Sequence, residues 1–580
     1  MTRASLTACL LRALAGALLA AVVLASVWEP VRAQTVPPER LYVEAWRQAG
    51  YDGVIPNPVG VSVKAFGARG DGAADDTAAV RRAIEWVSAS PFVGMVYFPA
   101  GTYRLTATIA LPDGIVLRGQ RGAAGNLATL RFDLGGGDTH AILIAGRPGG
   151  PFQPVREQEA LAAWLEVEDA SAFRPGDHAQ LQQANDPAWD AGIDWARNAV
   201  GQIVRIADVR GNRLFLEQGL RADYPERNAP QIRRLEVVRH VGLDHLVIER
   251  ADTAEPAGGS IVRLAFAADS WIRGCELRRC VGRHVDIRSS TRIEVTGNVM
   301  DDAFGHGGGG RGYGVELSFH SGECLVQDNI FRRLRHAMLL QVGPNGNVLG
   351  YNYAREALRT EWPTTFASDI SLHGNRPYAN LFEGNVVGLA WFDGSHGPSA
   401  GPGNTLFRNA ITGHGLVFTP TSPTTSGQNL VGNDVSMAVV FGADHFEHGN
   451  RVGRGGAFAL RPPGSGALPD VSYYLAPDPL EPVTPPWWTV SDRIPTMGPG
   501  ATVAWGDSRN PARARWDAGG TLTVGTSDPL QLTGEGPHAS PAPPRAPAGS
   551  FVYLPSVRAS GRDLLTVPGE NAPSAHPPDE

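Results

Sequence analysis

His373, Asn375 and Arg376 stand together in the phrase ISLHGNRPYANLFEGN (370–385), and Asp393 follows in AWFDG. An imidazole oriented by a carboxylate makes a proton acceptor that works near neutral pH, and a guanidinium beside it grips a second carboxylate. Arg335 and His336 come earlier in the chain, Tyr313 and Glu316 earlier still. These groups cooperate only if the fold brings distant segments into one place, so the elements that carry them matter first.

Short strand-like phrases recur that close on an asparagine: RIEVTGN at Asn298, CLVQDN at Asn329, NVLGYN at Asn352, NLFEGN at Asn385, NTLFRN at Asn409 and NLVGN at Asn433. A spacing of roughly 21 to 33 residues is the period of a solenoid. In stacked parallel coils, equivalent residues lie about 4.8 Å apart. An asparagine repeated at one turn can bond its next copy and tolerates left-handed backbone geometry. Glycines 297, 384 and 432 precede it and suit the same turn, and Cys275 takes the asparagine slot in one coil.

Counting back from each asparagine aligns VDIRS, VELSF, MLLQV, ISLHG and AWFDG. Alternation then sends Val285/Ile287, Val315/Leu317, Met338/Leu340, Ile370/Leu372 and Ala390/Phe392 inward. The outward residues form two columns: Asp286, Glu316, Leu339, Ser371 and Trp391, and Arg288, Ser318, Gln341, His373 and Asp393. This register predicts His373 and Asp393 on neighbouring coils, with Arg376, Arg335 and His336 nearby. Trp391 is expected to be exposed beside them, where it suits a sugar ring. The long loops RTEWPTTFAS and GSHGPSAGP are expected to wall a cleft.

Composition agrees with a turn-rich β architecture: charged residues are 19 %, with 70 glycines and 45 prolines in 580 residues. A formal charge of −7 argues against nucleic acid held on a basic surface. Lys64 is the lone lysine, so a catalytic base falls to His, Tyr or Arg unless it is Lys64. Residues 1–33, with Arg3 and Arg12 before an apolar run and VRA before Gln34, read as an export signal, giving a secreted or periplasmic protein with no membrane attachment after cleavage. Cys275, Cys280 and Cys324 then remain, an odd number that cannot all pair within one chain. No Cys-x-x-Cys pattern offers a structural zinc site.

Six stretches follow: the signal, an extension (34–60), a first capped portion (61–151), an inserted small β subdomain (152–240), the main coils (241–455) and a Pro/Gly-rich region with a disordered tail (456–580). In the third, Asp75-Asp76-Thr77 caps a helix whose Ala79, Ile84 and Val87 share a face. The phrases FGARGDGAADDT, YFPAGTY and LRG over 61 to about 120 resemble the opening of the pectate-lyase-superfamily, right-handed parallel β-helix proteins. That resemblance implies an all-β solenoid with an N-terminal capping helix, and a carbohydrate-active role: lyase, glycoside hydrolase, epimerase or noncatalytic binding spike.

Residues narrow the choice. DDAFGHGG places an Asp-Asp and a Gly-His-Gly on one loop instead of on successive coils, against a polygalacturonase-like site. A two-carboxylate hydrolase needs carboxyls about 5 to 9.5 Å apart. Glu316 and Asp393, three coils apart, fail this at about 14 Å, whereas Asp286 and Glu316 satisfy it, with one carboxyl expected to rise in pKa by mutual repulsion. β-Elimination of a uronate asks for a base, a carboxylate grip and an acid. His373 with Asp393, Arg376 with Arg335, and His336 or Tyr313 fill those roles, with Asn375, Gln341 and Trp391 lining the substrate. The expectation is therefore a secreted lyase acting on an acidic polysaccharide, with a glycoside hydrolase or a noncatalytic glycan-binding protein as the alternatives. No cofactor is required; calcium could be held by Asp369, Asp393 and Glu316. The oligomeric state is not legible.

Overall fold

The computed structural model describes residues 36–122, 125–135, 140–252, 258–394, 400–420, 425–454, 457–465, 468, 472–475 and 510–519. The stretch expected to be an export signal (1–33) and most of the C-terminal region, with its expected disordered tail, fall outside these residues.

The chain winds as a parallel β-helix with three walls per coil. One coil runs Thr291–Thr296 on the first wall, Val299–Ala303 on the second and Tyr313–Ser318 on the third. The next repeats this as Leu325–Gln327, Ile330–Arg332 and His336–Gln341. Each strand pairs in parallel with its counterpart in the following coil, as Thr291–Thr296 does with Leu325–Gln327. Parallel neighbours joined by long crossovers of one hand give the right-handed solenoid.

The inward columns pack as alternation requires: Val285 pairs with Val315, Val315 with Met338, Met338 with Ile370 and Ile370 with Ala390. All five are buried in one continuous core that also takes in Ala79, Ile84 and Val87 of helix Thr77–Ser88. The cap differs slightly from expectation. Asp75 Oδ1 accepts from the Thr77 N–H and hydroxyl, while the Asp76 carboxylate accepts from Arg69 N and Gly70 N.

The asparagines form a continuous ladder at the turn between the first and second walls. Asn298, Asn329, Asn352, Asn385, Asn409, Asn433 and Asn450 follow one another, each Oδ1 accepting from the backbone N–H of the previous rung at 3.0 Å. Cys275 N donates to Asn298 Oδ1, which puts a thiol at the end of the ladder. The left-handed residue, however, is the one before the asparagine. It is glycine before Asn298, Asn385, Asn433 and Asn450, and Asp328, Tyr351 or Arg408 before the other three. Asparagine is selected here for its two-sided amide, not for its backbone. A second ladder, Cys324, Asn347, Asn380 and Asn404, runs at the turn between the third and first walls. Cys275, Cys280 and Cys324 are all free and buried.

An antiparallel sheet interrupts the winding between Arg147–Pro148 and Gln231–Glu236, with its own core around Leu165, Leu181, Ile206 and Ile232. It docks on the turns that leave the third wall. His320 Nε2 lies 2.6 Å from Asn198 O, Tyr378 Oη donates to Gly201 O at 2.7 Å, and Arg221 bonds Glu323 and Asn345. At the far end an antiparallel strand, Ala457–Arg461, folds onto Asn450–Arg454. Residues 472–475 of the VSYYLAP phrase make a bend against the first wall instead of the strand its β-formers suggest, because Tyr474 Oη donates to Gln327 and the Tyr473 N–H to Glu383. Among the described residues no helix is long and apolar enough to cross a membrane.

Candidate functional site on the third wall

The third wall brings the chemistry-bearing residues together. Pairing places Asp286 beside Glu316, Glu316 beside Leu339, Leu339 beside Ser371 and Ser371 beside Trp391. The second column runs from Arg288 to Ser318 to Gln341. It continues past the strand ends, where His373 N donates to Leu340 O at 2.8 Å and Asp393 N to Leu372 O at 2.9 Å. The imidazole Nδ1 of His373 lies 2.6 Å from Asp393 Oδ2. A carboxylate accepts only, so Nδ1 carries the proton and Nε2 is the basic nitrogen.

His336 packs its ring 6.0 Å from that of His373 and 5.1 Å from Tyr313. Its Nδ1 is 2.7 Å from Ser368 Oγ. Burial, then the neighbouring Arg335 charge, hold the His336 pKa well below the usual imidazole range. His336 is therefore neutral and cannot serve as a cationic proton donor, which removes one of the two acids expected from sequence. Tyr313 is the other. Its hydroxyl oxygen accepts from Arg335 Nη1 at 2.9 Å, and a phenol held by a guanidinium is a competent proton donor.

Arg335 is 2 % exposed and also bonds Glu361 through Nε at 2.6 Å. Glu361 pairs with Arg359 as well, at 2.9 Å. Both residues come from the strap 356–369 that connects the second wall to the third. In the sequence this strap shows only as a long loop, and the charges flanking Trp362-Pro363 are its signal. Asp369, at its end, has burial push its carboxyl up to about 6. It accepts from Gly388 N at 2.6 Å and lines a cavity of about 230 Å³ with Arg355, Thr364, Thr365 and His414.

Several expectations change. Asp286 and Glu316 are adjacent, but neither has a raised pKa. Burial would push both up, yet the guanidiniums of Arg288, Arg263 and Arg283 outweigh it and hold both carboxyls low. Arg283 Nε donates to Glu316 at 2.5 Å and Gln341 Nε2 at 2.8 Å. Asp369, Asp393 and Glu316 are each engaged separately, and among the described residues no group of three acidic, His or Cys side chains could hold a metal. Trp391 is half-buried, not exposed: its ring packs 5.2 Å from Phe366 and its Nε1 donates to Thr419. Arg376 lies over the Trp189 ring of the insert at 4.7 Å, so it joins the two units. Asn375, left-handed and buried, gives its carbonyl to Gly343 N at the same joint.

Apart from half-buried Arg288 and Trp391, the outward columns are themselves buried, roofed by the strap and bordered by the insert. Ser318 Oγ, Gln341 Oε1, His336 Nε2, Ser371 Oγ and Glu361 Oε2 are all buried without a hydrogen-bond partner among the described residues. Buried polar atoms in native proteins are nearly always satisfied. Five such atoms gather on this wall and its strap, a setting that suits water or a ligand rich in hydroxyls.

Residues 60–142 match the family model described as rhamnogalacturonase A/epimerase, pectate lyase-like. Residues 60–142 are thus pectate-lyase-like, and the described residues wind as a parallel β-helix. Over 60 residues, 10 % of the chain, this β-helix is 48 % identical to the preneck appendage protein of Bacillus phage PZA, of which the match spans 6 %. Among solved structures it is similar to the tailspike protein gp49 from Pseudomonas phage LKA1, with TM-score 0.47 and 15 % identity, covering 65 % of this chain and 64 % of that one. It is also similar to the A-module of the mannuronan C-5 epimerase AlgE6 from Azotobacter vinelandii, with TM-score 0.30 and 13 % identity, covering 68 % and 99 %.

Proposed function

We propose that this pectate-lyase-like β-helix cleaves an acidic, uronate-containing polysaccharide by β-elimination. The observation that carries the reading is the 2.6 Å contact between His373 and Asp393 on a wall that also holds the Arg335–Tyr313 pair. His373 Nε2 takes the C5 proton of the uronate. The electrons of that C–H bond form the C4=C5 double bond as the C4–O4 bond breaks, and the Tyr313 hydroxyl gives its proton to the departing O4. Arg335 bears the negative charge that builds on the carboxylate. Asp393 keeps the imidazole in the required tautomer and stabilises its protonated form. Hydrolysis through Asp286 and Glu316 has less support, because an acid held ionised by guanidiniums has no proton to give.

The test is incubation with pectate, alginate and glycosaminoglycan, followed by product mass. Elimination gives unsaturated fragments lighter by one water than the hydrolysis products. His373→Ala is expected to lower turnover on the order of 10²- to 10⁴-fold with a modest change in binding. Fragments carrying the added water would overturn elimination, and glycan binding weakened by His373→Ala with no turnover in either protein would indicate a noncatalytic binder.

A further inference from the structure

Glu361 is the acidic side chain that the strap sets against Arg335, and its setting is unusual for a loop carboxylate. Oε1 lies 2.6 Å from Arg335 Nε, 2.5 Å from Arg335 Nη2 and 2.9 Å from Arg359 Nε. A single carboxylate thus sits in the fork of two guanidiniums, one of which also holds the Tyr313 hydroxyl. Oε2 is buried and has no hydrogen-bond partner among the described residues. The strap that delivers Glu361 is anchored at its end by Ser368 on His336 and by Asp369 on Gly388, whereas its Trp362 is 89 % exposed.

A buried ion pair adds little net stability, because removing the charges from water offsets their attraction. Its retention is better explained by a switch or a register role. We infer that Arg335, Arg359 and Tyr313 form a carboxylate-binding subsite, that its ligand is the carboxylate of an acidic sugar, and that Glu361 occupies the subsite as an internal stand-in until substrate displaces it. This inference rests on the proposed elimination for the identity of the ligand, and its geometry stands independently of the reaction. The stand-in has the same group, a carboxylate, in the same bonds that a uronate would make. Displacement leaves the charge at the fork unchanged and turns Glu361 out to water along with its strap. Apparent affinity is then the intrinsic affinity reduced by the fraction of molecules in which the fork is open.

The variants are Glu361→Ala and Glu361→Gln in the full chain. Both should bind trigalacturonate, trimannuronate or a chondroitin tetrasaccharide more tightly than the parent, on the order of tenfold if the fork is open about a tenth of the time. Acetate provides a probe that needs no knowledge of the glycan: the melting temperature of Glu361→Ala should rise with acetate and not with chloride at equal ionic strength, and that of the parent should respond to neither. If Glu361→Ala does not fold, Glu361→Gln keeps the shape and the bond from Arg335 and reads the affinity alone. Unchanged affinity in the variant that folds, or no acetate response in a folded Glu361→Ala, overturns the inference. Tighter binding without unsaturated products would leave the subsite standing and refute elimination; unsaturated products with no effect of Glu361 would do the reverse.

Discussion

Glu383 offers a pH dependence whose size can be worked from its surroundings. It closes the strand Leu381–Glu383 on the first wall, fully buried, with Oε1 accepting from Tyr351 Oη at 2.7 Å and Oε2 from Tyr473 N at 2.9 Å. Burial outweighs these bonds and the nearby Arg408 charge, and pushes the carboxyl from 4.5 up to about 7. A carboxyl raised in the folded state contributes its full stability below the ordinary pKa and loses it as pH climbs through the raised one. The window is therefore about 4.5 to 7, and at 1.36 kcal/mol per pH unit the loss is about 3 kcal/mol. A solenoid of this length need not unfold in one step, so the loss should be read locally. The bond from Tyr473 ties 472–475 to the first wall, and this segment should open more readily at pH 8 than at pH 5. Hydrogen exchange followed by mass spectrometry, corrected for the intrinsic rate, should show protection at 381–383 and 472–475 falling on the order of 10²-fold over that range. Glu383→Gln can still accept from Tyr473 N and donate to Tyr351, so it should hold its protection and flatten the profile. A Glu383→Gln profile as steep as the parent's, or protection that rises with pH in the parent, would refute the reasoning.

Two further outcomes follow from the same geometry. Asn385 makes four side-chain bonds, accepting from Asn352 N and Nδ2 and donating to Leu349 O and Asn409 Oδ1, so Asn385→Ala should destabilise the surrounding coils by about 4 kcal/mol, measured as a lowered denaturant midpoint with retained β-sheet circular dichroism before unfolding; a loss under about 1 kcal/mol would show that the ladder is dispensable. Asp393→Asn should favour the wrong His373 tautomer and lower turnover on acidic polysaccharide on the order of 10²- to 10⁴-fold with KM little changed, and ¹⁵N spectra of the imidazole should report the tautomer directly; an unchanged tautomer and rate would remove Asp393 from the site.

The coil register was legible because it rests on local rules that every coil repeats. Inward Val315, Met338, Ile370 and Ala390 alternate with outward residues, and each strand ends at an asparagine whose amide must face its neighbours. One register then places His373 against Asp393. The second asparagine ladder was harder to see because its members, Asn347, Asn380 and Asn404, are not preceded by strand-like phrases; the left-handed Gly346, Ala379 and Gly403 before them were the available clue. Glu361 and Arg359 lie on a loop with no periodicity, so nothing in the order of residues says which way they point. The same applies to Arg376, whose partner Trp189 lies in an insert far away in the chain. Charge partners also escaped a reading based on columns alone. Asp286 and Glu316 stand side by side, but the guanidiniums that hold them ionised include Arg263 for Asp286 and Arg283 for Glu316, neither of which the aligned columns contain.

The cost of this wall argues for its use. The first wall also buries carboxyls, Asp244 and Glu383 among them, beside its apolar packing and an asparagine ladder whose bonds are made within the coils. On the third wall Arg283, Arg335, Glu316 and Asp393 are taken out of water together with two imidazoles, and desolvation opposes folding by several kcal/mol for each ion before pairing offsets it. Shorter connections and apolar outward residues would make a solenoid of the same register without that penalty. The long strap and the docked insert do the opposite: they deepen the burial and leave five polar atoms without partners. The proposed elimination gives this clustering a use: an imidazole, a phenol and a guanidinium pair fixed in a water-poor setting act most strongly on developing charge.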